Sequence, residues 1–536
     1  MATLPTTLTA TALILLILFL LTKVLLSRPK HLHPLPPGPP GLPLLGNLFD
    51  LPPTTGSQPE YLHWLAHKDR YGPISSITVL GQTMVIIHDR GIAGEVLERK
   101  AGVSAGRPGL KFAFDMIGWK DVLAGLPYGK AFRLYRKYAH QQLGTKATIA
   151  KYEGLQQAAV QRLLGSLLRD EGKNLNRYLK TENRRELPSE VAEVIIKITY
   201  GYEIEREKPD PYLQAVERAL QQISDAAVPG KWAVDVFPFL EYLPEFLAPF
   251  KRTAREWRAT LMEVVNEPYA FSKKNLTQEK VLDSFVARAI EQAETETGLG
   301  PEEDHAIKWT AASLYTGGAD TSVSTLEAFF LAMSLYPSVQ HKAQAELDKL
   351  LGSQPLRLPT PADRPRLPYL NALVEEAQRW HPITPMGLPH TTASDLLLAS
   401  CGYRIPAGTI VMPGIWWMTR DPATYHDAEE FKPERFLAPY CEPLATEVTF
   451  GFGRRVCPGR VLADSTLFGT FAAVLMCFEI GKVKGDDEGG IGGDRASAEE
   501  PIHGFLPGAI ARPTAFGVRV VPRSEAHRKL VEGFQG

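Results

Sequence analysis

Cysteine is scarce in this chain, which has only four in 536 residues: Cys401, Cys441, Cys457 and Cys477. The four show no metal-type spacing, which argues against a zinc site of the usual kind. They are also too few to form a disulfide framework in a chain of this length. We therefore expect the protein to work in a reducing compartment.

An excess of charge of one sign is absent as well, because 59 Lys and Arg oppose 60 Asp and Glu, for a net charge of −1. This balance gives no basis for nucleic-acid binding, which requires a strongly basic surface. No internal repeat is visible. The glycines of residues 489–493 lack the strand–turn–helix context of a phosphate loop, so we reject a nucleotide site there and predict a solvent loop over 484–500.

One long apolar run occurs at the N-terminus, where residues 8–26 span about 28 Å as a helix, close to the thickness of a hydrocarbon core. A secretory signal peptide is the competing interpretation, but it requires a positive segment before the run. Here Lys23, Arg28 and Lys30 follow the apolar core instead. We predict a lumenal terminus (1–7), a transmembrane helix (8–26), a proline-rich hinge (27–45) and a cytosolic domain (46–536). The Asn275 sequon should then be unglycosylated.

The most informative stretch is Phe450-Gly451-Phe452-Gly453-Arg454-Arg455-Val456-Cys457-Pro458-Gly459. A lone cysteine is most often a small buried hydrophobe. This one follows two arginines, and its glycines allow positive φ or close backbone approach to a ligand. Guanidinium groups match carboxylates well. The pattern favours a cysteine thiolate that binds haem iron, with arginine near the haem carboxylates.

The spacing Phe450-x-x-Gly453-x-Arg455-x-Cys457-x-Gly459 resembles the haem-binding signature of the cytochrome P-450 superfamily at each defining position. The resemblance implies haem b (iron protoporphyrin IX) with Cys457 as the axial ligand of the iron. It also implies a mainly α fold with a small β-sheet region, the cytochrome P-450 fold, preceded here by one N-terminal transmembrane helix. The proline-rich segment 34–41 is similar to the hinge of microsomal members, which implies the endoplasmic reticulum membrane.

A second motif, Thr316-Gly317-Gly318-Ala319-Asp320-Thr321-Ser322, lies inside a helix that we predict over residues 301–336. Mid-helix glycines cost about 1 kcal/mol each. They indicate either close packing, which suits Gly317, or a groove for dioxygen and substrate. The resemblance implies that Asp320 and Thr321 form the acid–alcohol pair that delivers protons during dioxygen activation. The alternative is that the Thr321 hydroxyl bonds back to a carbonyl four residues earlier.

A third motif, Glu376-Ala377-Gln378-Arg379, places an acid and a base three residues apart on one helix face. Alone, this spacing indicates a surface ion pair of little energetic value. The resemblance implies instead that Glu376, Arg379 and Arg435 of Pro433-Glu434-Arg435-Phe436 form a buried structural triad supporting the haem loop.

Three further residues are expected near the haem propionates: Arg136, His390 and Arg455. Arg136 ends a segment similar to the family's Trp-x-x-x-Arg helix, but Phe132 stands at the tryptophan position. Phenylalanine cannot donate the hydrogen bond that an indole N–H makes. His390 matches a propionate-facing position by resemblance; an isolated histidine is more often a surface or loop residue.

The substrate pocket is predicted by resemblance alone, and each of its residues is individually more typical of plain core. The set is mostly apolar, which favours a lipophilic or aromatic substrate held by shape. Its members are Met116, Ile117, Trp119, Phe237, Tyr315, Thr316, Met386, Leu388, Ala509 and Ile510.

The segment 229–250 is aromatic and proline-rich and either dips into the bilayer or forms core. Its pattern Val234-Asp235-x-Phe237-Pro238, then Tyr242-Leu243-Pro244, is similar to the fungal O-methylsterigmatocystin oxidoreductase-like group. That group implies specialised metabolism of terpenoid, polyketide or indolic and other aromatic compounds.

Local patterns complete the prediction of a mainly helical domain. Residues 74–80 and 83–87 flank Gly81-Gln82 as a hairpin with glycine first in the turn. Asp89 is a predicted helix N-cap, residues 403–411 carry short strands, and long helices are expected within 145–225, 250–295 and 301–350.

Three functions remain open. The first is a monooxygenase that takes NADPH electrons from a separate reductase carrying FAD and FMN, since the chain has no flavin or nicotinamide domain. Cytochrome b5 is a second candidate partner. The docking face would use Arg133, Lys137, Arg454 and Arg460, which could equally be solvated surface. The others are a haem-thiolate isomerase or dehydratase, disfavoured by Asp320 and Thr321, and a non-catalytic membrane haem protein.

Overall fold

The structure is a computed structural model that describes residues 33–53, 59–171, 190–205, 208, 210–228, 230–296, 298–482, 505–506, 510–514 and 516–534. The predicted transmembrane helix, the predicted loop 484–500 and the pocket candidate Ala509 lie outside these ranges. The fold is mainly helical with small sheets, as the sequence predicts.

The described α-helices, numbered α1 to α19 in chain order, are Glu60–Tyr71, Arg90–Gly94, Ala101–Ser104, Lys130–Leu143, Lys146–Ala150, Glu153–Asp170, Glu190–Tyr200, Pro211–Ala226, Ala233–Val236, Phe250–Lys274, Glu279–Leu282, Phe285–Glu296, Pro301–Leu335, Pro337–Leu351, Pro368–Trp380, Ile415–Met418, Thr446–Thr449, Arg460–Cys477 and Glu525–Glu532. Short 3₁₀ turns connect them at Leu48–Asp50, Trp119–Asp121, Pro238–Tyr242, Glu245–Leu247, Pro361–Arg366, Pro433–Phe436 and Gly453–Arg455. Two π-helical segments span Glu95–Arg99 and Lys111–Ile117.

The strands β1 to β10 are Ile74–Val79, Gln82–Ile87, His390–Thr391, Leu396–Leu397, Arg404–Ile405, Ile410–Pro413, Phe478–Lys482, Phe505–Leu506, Arg512–Pro513 and Val518–Pro522. A four-stranded sheet has the order β1-β2-β6-β3, in which β2 and β6 run parallel and the other neighbours antiparallel. Three two-stranded antiparallel sheets pair β7 with β10, β4 with β5, and β8 with β9.

The hairpin β1–β2 forms where it is predicted, but its turn differs by one residue. Val79 pairs with Gln82, so the turn residues are Leu80 and Gly81 rather than Gly81 and Gln82. Both have positive φ, 49° and 86°, which is a type I′ turn whose twist matches that of the strands. Leu80 accepts this unusual conformation because the register places buried Ile74 opposite buried Ile87. Asp89 caps α2 as predicted, since its Oδ1 accepts from the Ile92 amide at 2.7 Å.

Helix α13 runs through the centre of the protein and is the longest described element, with 35 residues. Pro301 opens it, and three acidic residues in its first turn complement the positive end of the helix dipole. Its first half packs in a hydrophobic cluster with α4, α8, α10 and α12. Its second half packs in a separate cluster with α14, α15 and α18. The two clusters meet at the glycine motif.

Within the described residues, Arg460–Cys477 (α18) is long and apolar enough to cross a membrane, but most of it is buried inside the protein. This helix is therefore a core element of the second cluster.

Four buried histidines have a ring nitrogen that meets no hydrogen-bond partner among the described residues: His67, His88, His381 and His527. Both nitrogens of His88 and the Nδ1 of His381 are in this position. Burial lowers the pKa of His88 to about 4 and that of His381 to about 3, from an ordinary value of 6.5. Both side chains are therefore neutral in the folded protein.

We expect acid to destabilise the protein through His88 and His381. In the unfolded chain they take up protons below about pH 6.5, whereas the folded chain excludes those protons until about pH 4 or lower, so stability is lost as the pH falls through this window. At pH 5 the loss is about 2 kcal/mol for each histidine, at ~1.4 kcal/mol per pKa unit. The free energy of unfolding in urea, measured at pH 7 and at pH 5, tests this expectation. His88→Leu should reduce the difference between the two values. His305→Leu, at an exposed histidine, should leave that difference unchanged.

Candidate functional site

Cys457 lies in a short loop between the turn Gly453–Arg455 and helix α18. The loop closes on itself, because the Cys457 amide donates to the carbonyl oxygen of Phe450 at 2.9 Å. Gly451 within it has a φ of 77°, a conformation that favours glycine. The loop therefore presents the sulfur at the beginning of a long helix.

Gly453 fixes this loop against the π-helical segment Glu95–Arg99. A Cβ at Gly453, where φ is 52°, would lie 2.3 Å from the carbonyl oxygen of Leu97 and 3.1 Å from the Cα of Glu98. Both are backbone atoms that cannot move aside cheaply. Any side chain at position 453 would consequently push the cysteine loop out of place.

The surroundings of Cys457 shift the pKa of its thiol in opposite directions. Burial raises the pKa of Cys457, while backbone amides of Gly459 and Arg460 and the charges of Arg136 and Arg460 lower it. The amides at a helix N-terminus favour an anion. Cys457 is deeply enclosed by protein, yet part of its surface contacts no protein atom. It therefore lines an interior space and offers a sulfur that can bind a metal.

Arg136 and Arg455 lie beside this loop, held by carbonyl groups. Arg136 on α4 donates to the carbonyl of Val456 at 2.6 Å. Arg455 donates to the carbonyls of Ala105 and Leu126 at 2.9 and 2.7 Å. Its guanidinium group stacks on the ring of Phe132, 4.1 Å from the centroid. Phe132 thus supports Arg455 through a cation–π contact, which needs no indole N–H.

Arg107 was missed from the sequence and belongs to the same group. Its guanidinium group donates to the carbonyls of Ala124, Leu388 and Pro389 at 2.7 to 2.8 Å. Burial and the nearby charge of Arg455 lower the pKa of Arg107 to about 9, so it remains charged at neutral pH. No local signal marks it, because the contacts come from residues far along the chain.

His390 begins β3 next to Arg107 and is buried. Its Nδ1 lies 3.0 Å from the carbonyl oxygen of Ser104, so Nδ1 carries the proton. Burial and the charge of Arg107 lower the pKa of His390 to about 3, which keeps the ring neutral.

Arg107, Arg136 and Arg455 form what we call the arginine cradle. Among the described residues, none of the three forms an ion pair with a carboxylate. In the described part of the chain, their guanidinium groups contact carbonyl groups and aromatic rings. Each charge interacts electrostatically with another member of the cradle or with Cys457. Three partly buried cations without an anion favour an anionic ligand at this place.

The glycine motif interrupts the buried part of α13, because residues 317–321 are exposed or partly exposed. Tyr315, Thr316 and the residues from Ser322 to Ser334 are buried, whereas Gly317 is exposed and a Cβ there would meet nothing within 4 Å. Gly318 is the glycine that packs closely, because its Cβ would lie 3.1 Å from the side chain of Ile195 on α7. Close packing, expected for Gly317, applies to Gly318 instead.

Asp320 and Thr321 border this opening and are both partly buried. The Thr321 hydroxyl donates to the carbonyl of Gly317 at 2.8 Å, which is the back-bonded alternative that the sequence leaves open. The Asp320 carboxylate forms an ion pair with Arg512 on β9. Helix α13 packs against α18, the helix that follows Cys457. The hydroxyl and the carboxylate thus lie on a helix adjoining the one that positions the thiol.

Glu376, Arg379 and Arg435 lie together and are fully buried. Glu376 accepts from Arg379 at 2.7 and 2.9 Å and from Arg435 at 3.0 and 3.2 Å. A fourth member, Glu442, accepts from Arg435 at 2.9 Å and balances the charge. The remaining guanidinium donors of Arg379 bond the carbonyls of Thr419, Ala428 and Glu430. The group therefore ties α15 to the segment that leads to the cysteine loop.

The pocket candidates divide into two groups in the structure. Ile117, Trp119, Tyr315 and Thr316 are buried, and the Tyr315 hydroxyl donates to the carbonyl of Tyr212. These occupy the core, the alternative that the sequence leaves open. The remaining described candidates are accessible to different extents: Met116, Phe237, Met386, Leu388 and Ile510.

The chain is similar to proteins of one family. A family model described as Cytochrome P450 matches residues 36–491. Cytochrome P450 monooxygenase claR of Ampulloclitocybe clavipes is 40% identical over 532 residues, covering 98% of this chain and 92% of that protein. Multifunctional cytochrome P450 monooxygenase af510 of Aspergillus fumigatus is 38% identical, covering 96% and 93%. O-methylsterigmatocystin oxidoreductase of Aspergillus flavus is 36% identical, covering 97% and 93%.

Proposed function

This chain belongs to the cytochrome P450 family and is a monooxygenase; from that premise we propose that it inserts one oxygen atom of O2 into a lipophilic specialised metabolite, using NADPH electrons from a separate reductase. The observation that carries the proposal is the opening at Gly317 between two largely buried stretches of α13, bordered by Asp320 and Thr321. An isomerase, a dehydratase or a non-catalytic haem protein has no use for a hydroxyl and a carboxylate placed there.

The family implies a haem-thiolate cofactor, and the residues present fit it. The Cys457 sulfur would bind the iron, with Phe450 closing its loop and the Gly459 amide directed at the sulfur. The arginine cradle would supply cations for the two propionates, and His390 lies beside the cradle. When bound, a thiolate-ligated haem iron activates dioxygen by donating electron density that favours O–O cleavage.

The chain's own residues move the protons. The Thr321 hydroxyl has one hydrogen and rotates freely about its C–O bond, so it can leave the Gly317 carbonyl and donate into the adjacent space. Asp320, one residue earlier, is the acid that can replace the proton from solvent.

We expect Thr321→Ala to uncouple NADPH oxidation from product formation and to raise the share of electrons that end as peroxide. The variant removes a hydroxyl whose only described hydrogen bond is to Gly317, so folding should be unaffected. Peroxide yield per NADPH measures the effect, with Thr321→Ser as the matched control that restores the hydroxyl. Unchanged coupling in Thr321→Ala would remove this residue from the relay.

The membrane setting rests on exposed apolar side chains. In the segment 230–250, Tyr242 and Phe246 are each 82% exposed, and Phe239 is 62% exposed. Near the hinge, Leu44 and Phe49 are also largely exposed. Side chains of this size at the surface favour contact with a bilayer over a place in the core. Together with the apolar run 8–26, they support a single-pass anchor in the endoplasmic reticulum with the catalytic domain in the cytosol.

Electron delivery requires a docking face near Cys457. Arg133, Lys137, Arg454 and Arg460 are all exposed there, and Arg133 and Arg454 lie over the same ring, that of Tyr128. Lys137 already pairs with Glu296 at 2.6 Å, which leaves three cations for an acidic reductase or cytochrome b5.

The decisive test of the proposed function uses ¹⁸O2. The holoprotein, an NADPH–cytochrome P450 reductase and NADPH are incubated with terpenoid, polyketide and indolic compounds. Mass spectrometry should show one ¹⁸O atom in a product of at least one class. A rearranged or dehydrated product that lacks ¹⁸O would favour the isomerase or dehydratase alternative.

A further inference from the structure

The guanidinium group of Arg455 is bonded along its edge. Its three nitrogens donate to the carbonyls of Ala105, Leu123 and Leu126 at 2.9, 3.3 and 2.7 Å. An arginine has five N–H groups, so two of them remain without a partner in the described part of the chain. Because guanidinium N–H bonds lie in the plane of the group, these hydrogen bonds do little to stop it from moving out of that plane.

The ring of Phe132 supports one face of this group. The guanidinium carbon of Arg455 lies 4.1 Å from the ring centroid, and the Phe132 side chain is only 3% exposed. A cation over an aromatic face is attracted by the ring quadrupole, more strongly where water is excluded. Burial lowers the pKa of Arg455 to about 10, so the group stays charged at neutral pH. The ring therefore attracts this cation and blocks its movement to that side.

A second ring packs against Phe132 and is itself held from outside. The ring centroids of Tyr128 and Phe132 lie 5.5 Å apart, with their planes at 54°. Arg454 donates to the Tyr128 hydroxyl at 2.7 Å, and its guanidinium carbon lies 4.9 Å from the centroid of that ring. The two rings thus link the side chains of Arg454 and Arg455, two successive arginines of the cysteine loop.

We propose that Tyr128 and Phe132 are positioning residues that hold Arg455 so that its two remaining N–H groups can donate to a haem carboxylate. The inference rests on the haem-thiolate site of the proposed function and extends it to side chains that do not bond the carboxylate themselves. A phenyl ring has no N–H to donate, so position 132 acts here through Arg455 and not through a hydrogen bond of its own.

The experiment measures the rate of haem transfer from the holoprotein to excess apomyoglobin, which requires neither reductase nor substrate. Phe132→Leu should speed the transfer about tenfold, because leucine is apolar but offers no ring face to the cation. In an Arg455→Lys background the same substitution should add less than about twofold, because the stacked guanidinium group is already gone. If the two single effects multiply in the double variant, Phe132 acts by packing alone and the inference is overturned.

Arg136→Lys provides the matched background for this cycle. Arg136 also belongs to the arginine cradle, but it donates to the carbonyl of Val456. Phe132→Leu should therefore keep its full effect on haem transfer when Arg136 is lysine. Loss of the effect in both lysine backgrounds would indicate a general loosening of the cradle and would refute a specific role of Phe132 in holding Arg455.

Tyr128→Leu keeps the test decisive if the Phe132 double variant loses haem too fast to measure. Tyr128 is only partly buried and reaches Arg455 through Phe132. An effect of Tyr128→Leu that shrinks when Arg455 is lysine supports the inference; an effect that persists unchanged, or no effect in either background, refutes it. Absence of a haem-thiolate spectrum in the unaltered protein would instead overturn the proposed function.

Discussion

We expect a Cys457→Ala protein to lose NADPH-dependent oxygen consumption down to the level of the reductase alone. The reason is that Cys457 is the one cysteine that combines an enclosed position with a surface free of protein contact, at the start of α18, among the described residues. Alanine keeps the backbone and removes the sulfur, so the haem loop can form but has no thiolate to offer. Oxygen consumption with a fungal reductase measures the loss.

The matched control for this loss is Cys441→Ser. Cys441 is free and exposed, so its replacement should leave turnover unchanged. Oxygenase activity that survives in Cys457→Ala would contradict the mechanism, because no other described residue offers a comparable ligand.

Replacing Glu376 with glutamine should lower the free energy of unfolding by about 3–5 kcal/mol. Glu376 is fully buried and accepts hydrogen bonds from two arginines, so its loss leaves Arg379 and Arg435 facing each other with Glu442 as the remaining described carboxylate. Glutamine nearly preserves the volume, removes the charge and replaces one acceptor oxygen with an amide group that donates. The midpoint of urea unfolding, together with haem retention, measures the effect.

An exposed ion pair provides the comparison for Glu376. Glu256 pairs with Arg252 at 3.0 Å on the surface of α10, and both side chains are largely exposed. Glu256→Gln should change stability by less than about 1 kcal/mol. Equal losses of stability in the two variants would show that the buried group of four contributes no more than an exposed ion pair.

The features that the sequence predicts best depend on short stretches of chain. The cysteine loop and the glycine motif each span about ten residues or fewer, so their chemistry is visible as spacing. Helix α13 is predicted to within one residue of its end, because Pro301 and Pro337 mark its bounds. The hairpin turn was displaced, because Leu80 adopts a positive φ that residue statistics disfavour.

Contacts between segments that are far apart in the chain could not be predicted from the sequence. Arg107 meets the carbonyls of Leu388 and Pro389, and Arg512 meets Asp320, yet no local pattern relates these positions. Glu442 joins the buried charges because the chain bends back after Arg435. Only the three-dimensional fold reveals that the cradle has a third arginine and that Asp320 is already paired.

The central claim is that Cys457 binds haem iron as a thiolate, and the spectrum of the reduced protein with carbon monoxide tests it most directly. We predict the strongly red-shifted Soret band of thiolate-ligated haem in the unaltered full-length protein. A spectrum typical of histidine-ligated haem would contradict the assignment of Cys457 and the account built on it.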